Sequence, residues 1–89
     1  MAEIDADKIV FEDLAVHRLY QTRRQDPDAI LNTHEGLAVL WNDFEGVKHE
    51  VFKNRYFRDQ VATLAKLVQV AATCQRIAED LALVDHARL

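Results

Sequence analysis

Apolar residues in the middle of the chain recur at helical spacing. Leu37, Leu40, Phe44, Val47 and Val51 follow one another at steps of 3, 4, 3 and 4, with Trp41 at the edge of the stripe. That periodicity predicts a helix over about residues 34–54 with one apolar side. Beside it runs a second stripe at the same steps: Gly36, Val39, Asp43, Gly46 and Glu50. Further on, Leu64, Leu67, Ala71, Cys74, Ala78 and Leu81 repeat the pattern, flanked by a polar stripe of Lys66, Gln69, Thr73, Arg76 and Asp80. The two apolar stripes are expected to pair as the core, Cys74 included, which leaves the two polar stripes facing each other along a groove.

An earlier helix is expected from about Lys8 to Arg24, capped by Asp5 or Asp7, with Glu12 and Asp13 near its start. Val10, Phe11, Leu14, Ala15 and Leu19 form one broad arc, while Ile9, Val16 and Tyr20 fall near the opposite side. A helix apolar on most sides is covered on more than one. In so short a chain the second cover is expected from another subunit. "QDPDAILNT" interrupts the pattern, because Asp26 precedes Pro27 and is pushed out of helical geometry. The stretch reads as a loop anchored by Ile30 and Leu31. Asn32, three residues before Glu35, has capping-box spacing and starts the next helix. A short link near "KNRYFRD" joins the last two helices. The fold class expected is all-α: one domain over residues 1–89, a small bundle of about three main helices completed by oligomerisation.

Composition narrows the function. Two glycines and one proline in 89 residues leave little material for turns. A net charge of −4 provides no basic excess to displace counterions from nucleic acid. The single cysteine, Cys74, has no partner for an internal disulfide. The acidic start "MAEIDADKIV" lacks a cationic, apolar leader, and no stretch approaches the roughly 20 apolar residues that span a bilayer. A soluble cytoplasmic protein, with no membrane partner, is expected.

Candidate chemistry lies in the groove. Carboxylates spaced three and four apart on facing helices are how helical bundles build divalent-metal sites. Glu35, Asn42, Asp43, Glu45, Glu50, Thr73, Arg76 and Asp80 are its candidate lining. Asp43 and Glu50 are its candidate metal ligands. Gly46 stands where a further acid would be expected.

"HEGLAVLWNDFEGVKHEVFKN" followed by "LVQVAATCQRIAEDL" resembles the small MazG-like all-α nucleotide pyrophosphohydrolases. His34, Glu35, Val39, Leu40, Glu50 and Val51 carry the likeness in the first block. Val68, Gln69, Val70, Ala71, Ala72, Arg76, Glu79, Asp80 and Leu81 carry it in the second, so that it covers about residues 32–83. The resemblance implies hydrolysis of nucleoside triphosphates to monophosphate and pyrophosphate. It further implies paired subunits, with magnesium or manganese held by a Glu-x-x-Glu and a Glu-x-x-Asp on successive helices. Those four positions map onto Asp43, Gly46, Lys66 and Gln69, and Asn42 stands in for a neighbouring glutamate. Only Asp43 is an acid, and its charge is cancelled by that of Lys66. The motif reads as a lost cluster, with Lys66 expected to face Asp43 in the metal's place.

Three functions are consistent with this pattern. The first is a MazG-like protein without catalysis or cofactor that persists as an oligomeric binding or interaction protein, a nucleotide being the ligand the resemblance suggests. The second is an active pyrophosphohydrolase using magnesium or manganese on a rearranged acid set of Glu35, Asp43, Glu45 and Glu50. The third is a helical nucleic-acid-associated module using Arg23, Arg24, Arg55 and Arg58. The charge balance favours the first.

Overall fold

A computed structural model describes residues 2–53 and 60–88, and the side chains over 7–53 and 60–85. The described chain forms three helices: α1 (Ala2–Gln25), α2 (Thr33–Lys53) and α3 (Gln60–Asp80). A short 3-10 helix, Leu83–Arg88, follows. No strand occurs among the described residues, so the architecture is a small all-α bundle.

Helix α1 begins earlier than its pattern suggests, which puts Asp5 and Asp7 inside the helix and not at its cap. Helix α2 starts with its expected cap: the Glu35 N–H donates to Asn32 Oδ1 at 2.9 Å. The return bond differs from a standard capping box, because Glu35 Oε2 accepts from the Leu31 N–H at 3.3 Å. Helix α3 stops where Ala82 adopts φ 54°, a left-handed conformation more often taken by glycine after a helix. The Ala82 N–H donates to the Glu79 carbonyl at 3.1 Å and closes that end. The 3-10 helix beyond it has no counterpart in the sequence pattern. The link expected near "KNRYFRD" lies, from Asn54 to Asp59, outside the described residues.

Helix α3 packs against both α1 and α2, and among the described residues α1 and α2 do not pack on each other. Helix α3 is thus the hub on which the other two helices pack. An arrangement in which two of three helices do not meet encloses little core. The consequences are measurable. No large side chain is fully buried among the described residues. The accessible surface is 7086 Å², whereas a compact monomer of this mass exposes about 5,300 Å². The radius of gyration, 14.6 Å, exceeds the roughly 12 Å of a compact chain this long.

The faces that meet within the chain are not the expected ones. Helix α2 turns Gly36, Val39, Asp43, Gly46 and Glu50 toward its neighbour, and Gly36 and Glu50 are buried. Its expected core stripe looks outward: Leu37, Phe44 and Val51 are exposed, and only Leu40 and Val47, on the shared edge, are half-buried. In α3 the buried residues are Val68, Ala72, Thr73 and Arg76, while Leu64, Leu67 and Cys74 are exposed. The reason is steric. Small and short polar residues let two helix backbones approach, and the clearest case is Gly36, where an added Cβ would stand 3.1 Å from Ile77 Cγ1. In α1, Ala15 and Leu19 are buried against α3, while Ile9, Val16 and Tyr20 are exposed on the other side. In the loop, Ile30 is the anchor, and Leu31 is 78% exposed.

Candidate functional site: a polar pocket between α1, α2 and α3

Because the polar stripes form the α2–α3 seam, their side chains are brought together by backbone packing. Asp43, half-buried in the middle of α2, accepts a short hydrogen bond from the Thr73 hydroxyl of α3. Thr73 in turn accepts from Gln69 Nε2, one turn earlier, at 3.4 Å. Gly46 lies one turn from Asp43, and the Lys66 side chain runs past it. A Cβ added at Gly46 would have Lys66 Cδ at 3.6 Å and Nζ at 3.9 Å. Asp43, Gly46, Lys66 and Gln69 therefore border a single cavity of about 250 Å³, together with Asn42, Ala65 and Arg18.

Arg18 is the residue sequence reasoning missed. It comes from α1, which carries no part of the polar stripes. No sequence pattern singles it out: Phe11, Ala15, Arg18 and Thr22 share one α1 stripe at steps of 4, 3 and 4, but only the fold shows that none of the four is exposed. A cation on a stripe that packs inward meets whatever the neighbouring helices place there, and here that is Asp43 and Lys66. The lining then carries two cations and one carboxylate, a balance of +1 where the stripes alone gave zero.

The other candidate residues lie elsewhere. Glu45 sits on an exposed side of α2, 3.4 Å from Lys48 Nζ, and faces a separate open cavity with His49, Phe52 and Lys53. Glu35 is occupied at the helix start. Glu50 is buried one turn beyond Gly46, does not border the Asp43 cavity and has its own interaction. Among the described residues no three His, Cys, Asp or Glu side chains come together in an arrangement able to hold a metal ion. Oxygen-rich octahedral coordination requires carboxylates that converge, and Asp43 with an ammonium and a guanidinium beside it does not meet that requirement. The residues present do not fit a magnesium or manganese centre.

Arg76 and Asp80 belong to a second polar assembly at the far end of α3. Arg76 is buried, lies 3.2 Å from Asp26 Oδ2, and donates to the Asp28 carbonyl at 2.7 Å. Its Nε is 3.7 Å from Asp80 Oδ2 and has no hydrogen-bond partner. Asp80 also receives the Ile30 N–H at 3.0 Å and Arg23 Nη1 at 2.9 Å, and Arg23 reaches Glu79 at 3.0 Å. The group clasps the 26–32 loop to α1 and α3. Burial pushes the Asp80 carboxyl up, but the Ile30 and Arg23 hydrogen bonds and the charges of Arg23 and Arg76 outweigh it and hold the group below its ordinary value. Burial lowers the Arg23 guanidinium, and its bonds to Glu79 and Asp80 reverse that to a net rise. Arg23 is thereby committed to acids of its own chain, Arg24 is exposed, and Arg55 and Arg58 lie outside the described residues. No described helix is long and apolar enough to cross a membrane.

No family model, no curated protein and no solved structure matches this chain.

Proposed function

We propose that this chain is a MazG-like protein that has exchanged its metal-binding carboxylates for a metal-free polar pocket, and that it acts as a non-catalytic, oligomeric binding protein. The observation that carries this reading is the state of Asp43. It is the one acid among the four motif positions, its carboxylate is engaged by Thr73, and Lys66 extends over Gly46 on the same cavity without forming an ion pair with it. Hydrolysis of a nucleoside triphosphate draws on a bound cation to neutralise developing charge. A pocket that carries its own fixed cations is suited to holding charge and unsuited to metal-assisted turnover. A nucleotide remains the ligand class this reading suggests.

Oligomerisation is the second part of the proposal, supported by surface area. The chain exposes about 1,800 Å² more than a compact monomer of its mass, and a standard interface takes about 800 Å² from each partner. Leu37, Trp41, Phe44 and Val51 line one side of α2 at steps of 4, 3 and 7, all exposed. A second copy packed on that face would cover it as an isologous pair.

Pyrophosphate release from common nucleoside triphosphates, with magnesium or manganese present, tests the first part. The expected result is no release above background. Robust turnover by the unmodified chain would overturn the proposal in favour of the rearranged acids. Light scattering tests the second, with a mass of at least twice the 10.2 kDa chain expected. A stable monomer at micromolar concentration would refute it.

A further inference from the structure

Two cations, Arg18 and Lys66, border the pocket. Arg18 is half-buried, yet among the described residues neither its guanidinium nor the Lys66 ammonium has an ion-pair partner. Of the other lysines and arginines with described side chains, Arg23, Arg76, Lys8 and Lys48 are paired with acids, and Arg24 and Lys53 are not. What distinguishes Arg18 and Lys66 is that both border one cavity, in a chain of net charge −4. For half-buried Arg18 the missing counter-charge carries a desolvation cost that a bound anion would offset, and exposed Lys66 adds charge at the cavity rim.

The remaining lining also supplies donors. Asn42 borders the cavity with a side-chain amide, and Gln69 has a second amide hydrogen beyond the one given to Thr73. Asp43 would repel an anion, but one of its oxygens is taken by the Thr73 hydroxyl, and the lining balance stays at +1. At about 250 Å³ the cavity suits a group of phosphate or diphosphate size and not a whole drug-sized ligand. The cavity also adjoins a cleft bordered by Arg18, Gln21, Arg24 and Gln25, where Arg24 adds a further positive charge.

We infer that this pocket binds a phosphoryl anion directly, with Lys66 and Arg18 supplying the positive charge in place of a metal ion and Asn42 and Gln69 donating hydrogen bonds. The inference rests on the proposed loss of the metal site. Ammonium and guanidinium are both established phosphate-binding groups, the first as a point charge and the second as a planar fork. The expected sign at Asp43 is the distinctive consequence. Where a metal mediates binding, removing that carboxylate weakens it; where the anion meets the cations directly, removing it strengthens binding.

The test is calorimetric titration of the full chain with inorganic pyrophosphate in EDTA, with thermal melts to show that each variant is folded. Saturable binding is expected without metal. Lys66→Glu should weaken it roughly tenfold or more, since a cation is replaced by an anion at the site. Lys66→Gln and Arg18→Gln should each weaken it by a smaller factor, Asp43→Asn should tighten it, and Lys48→Glu, on a different cavity, should leave it unchanged. A nucleoside triphosphate that binds more tightly than pyrophosphate under the same conditions would assign the anion to a nucleotide, and equal affinity would assign it to the free ion. No saturable binding with or without manganese would overturn this inference and leave the non-catalytic reading standing. Indifference to Lys66→Glu, or weakening by Asp43→Asn, would overturn it as well. Binding that requires manganese would overturn both.

Discussion

The seam between α2 and α3 is built in two ways at its two ends. At one end Gly36 lies against Ile77, and beyond it Arg76 and Asp80 lock the 26–32 loop to α1 and α3. At the other end Gly46 faces only the flexible stem of Lys66, and the helices leave a cavity. Both ends are polar, and both hold a glycine on the same stripe. What differs is whether the charges are satisfied inside the chain. Around Asp80 each acid has a basic or backbone partner, so the assembly is structural. Around Asp43 the cations exceed the acids and stand open to solvent, so the assembly has capacity for something else. Buried charge alone does not mark a functional site; a local imbalance of charge in a cavity is the better guide.

The largest expected effect breaks the closed end. Asp80→Ala removes the acid shared by Arg23 and Arg76 and leaves buried Arg76 short of counter-charge, at a cost of about 3 kcal/mol in chemical denaturation. Asp43→Ala, at the open end, should cost only about 1 kcal/mol for its hydrogen bond with Thr73. Equal losses would erase the distinction between the two ends. Acid titration sharpens it further. The folded-state Asp80 carboxyl titrates below its ordinary value, so the unfolded chain binds its proton first as the pH falls. The stability contributed by Asp80 is complete above the unfolded value of about 3.9 and is lost as the pH drops through the lower folded value. Melting temperatures of Asp80→Asn should therefore be less steep on the acid side than those of the parent.

The glycines make a smaller, opposed pair. Gly36→Val drives a branched side chain into Ile77, whose three nearest carbons already stand 3.1–3.3 Å from the position of an added Cβ. A loss of about 2 kcal/mol is expected from that overpacking, with partial rescue by Ile77→Ala. Gly46→Ala meets nothing nearer than 3.6 Å and should raise stability by up to about 1 kcal/mol through helix propensity. Thermal melts of the two variants read the signs directly.

The helices themselves were legible in the sequence, because 3 and 4 steps sustained over five or six positions have few other readings, and Asn32 announces the start of α2 through a bond that forms. Which face turns inward was not legible. Polar and apolar stripes in α2 share the same steps, and the ordinary rule that the greasier stripe is the core assigns Leu37, Phe44 and Val51 to the interior. That rule supposes a chain able to enclose its own core. Here the close α2–α3 seam takes glycine, alanine and threonine, and the larger residues look outward. The pocket was legible in part. Asp43, Gly46, Lys66 and Gln69 could be placed together from two stripes, but Arg18 came from a third helix whose orientation no local pattern specifies. The Asp80 clasp was missed for a related reason, since Arg23, Asp26 and Ile30 reach it across fifty residues of chain or more.

The seam around Asp43 is proposed to hold no metal for want of converging acids, and not because its geometry forbids one. Calorimetry with manganese on the parent and on the Gly46→Glu, Lys66→Glu, Gln69→Asp triple variant tests it most directly. The cavity has room for the glutamate at position 46, and the new acids would join Asp43 around one space. The parent is expected to show no saturable manganese binding and the triple variant measurable binding, ahead of any recovery of turnover. Saturable binding of manganese by the unmodified chain would contradict it.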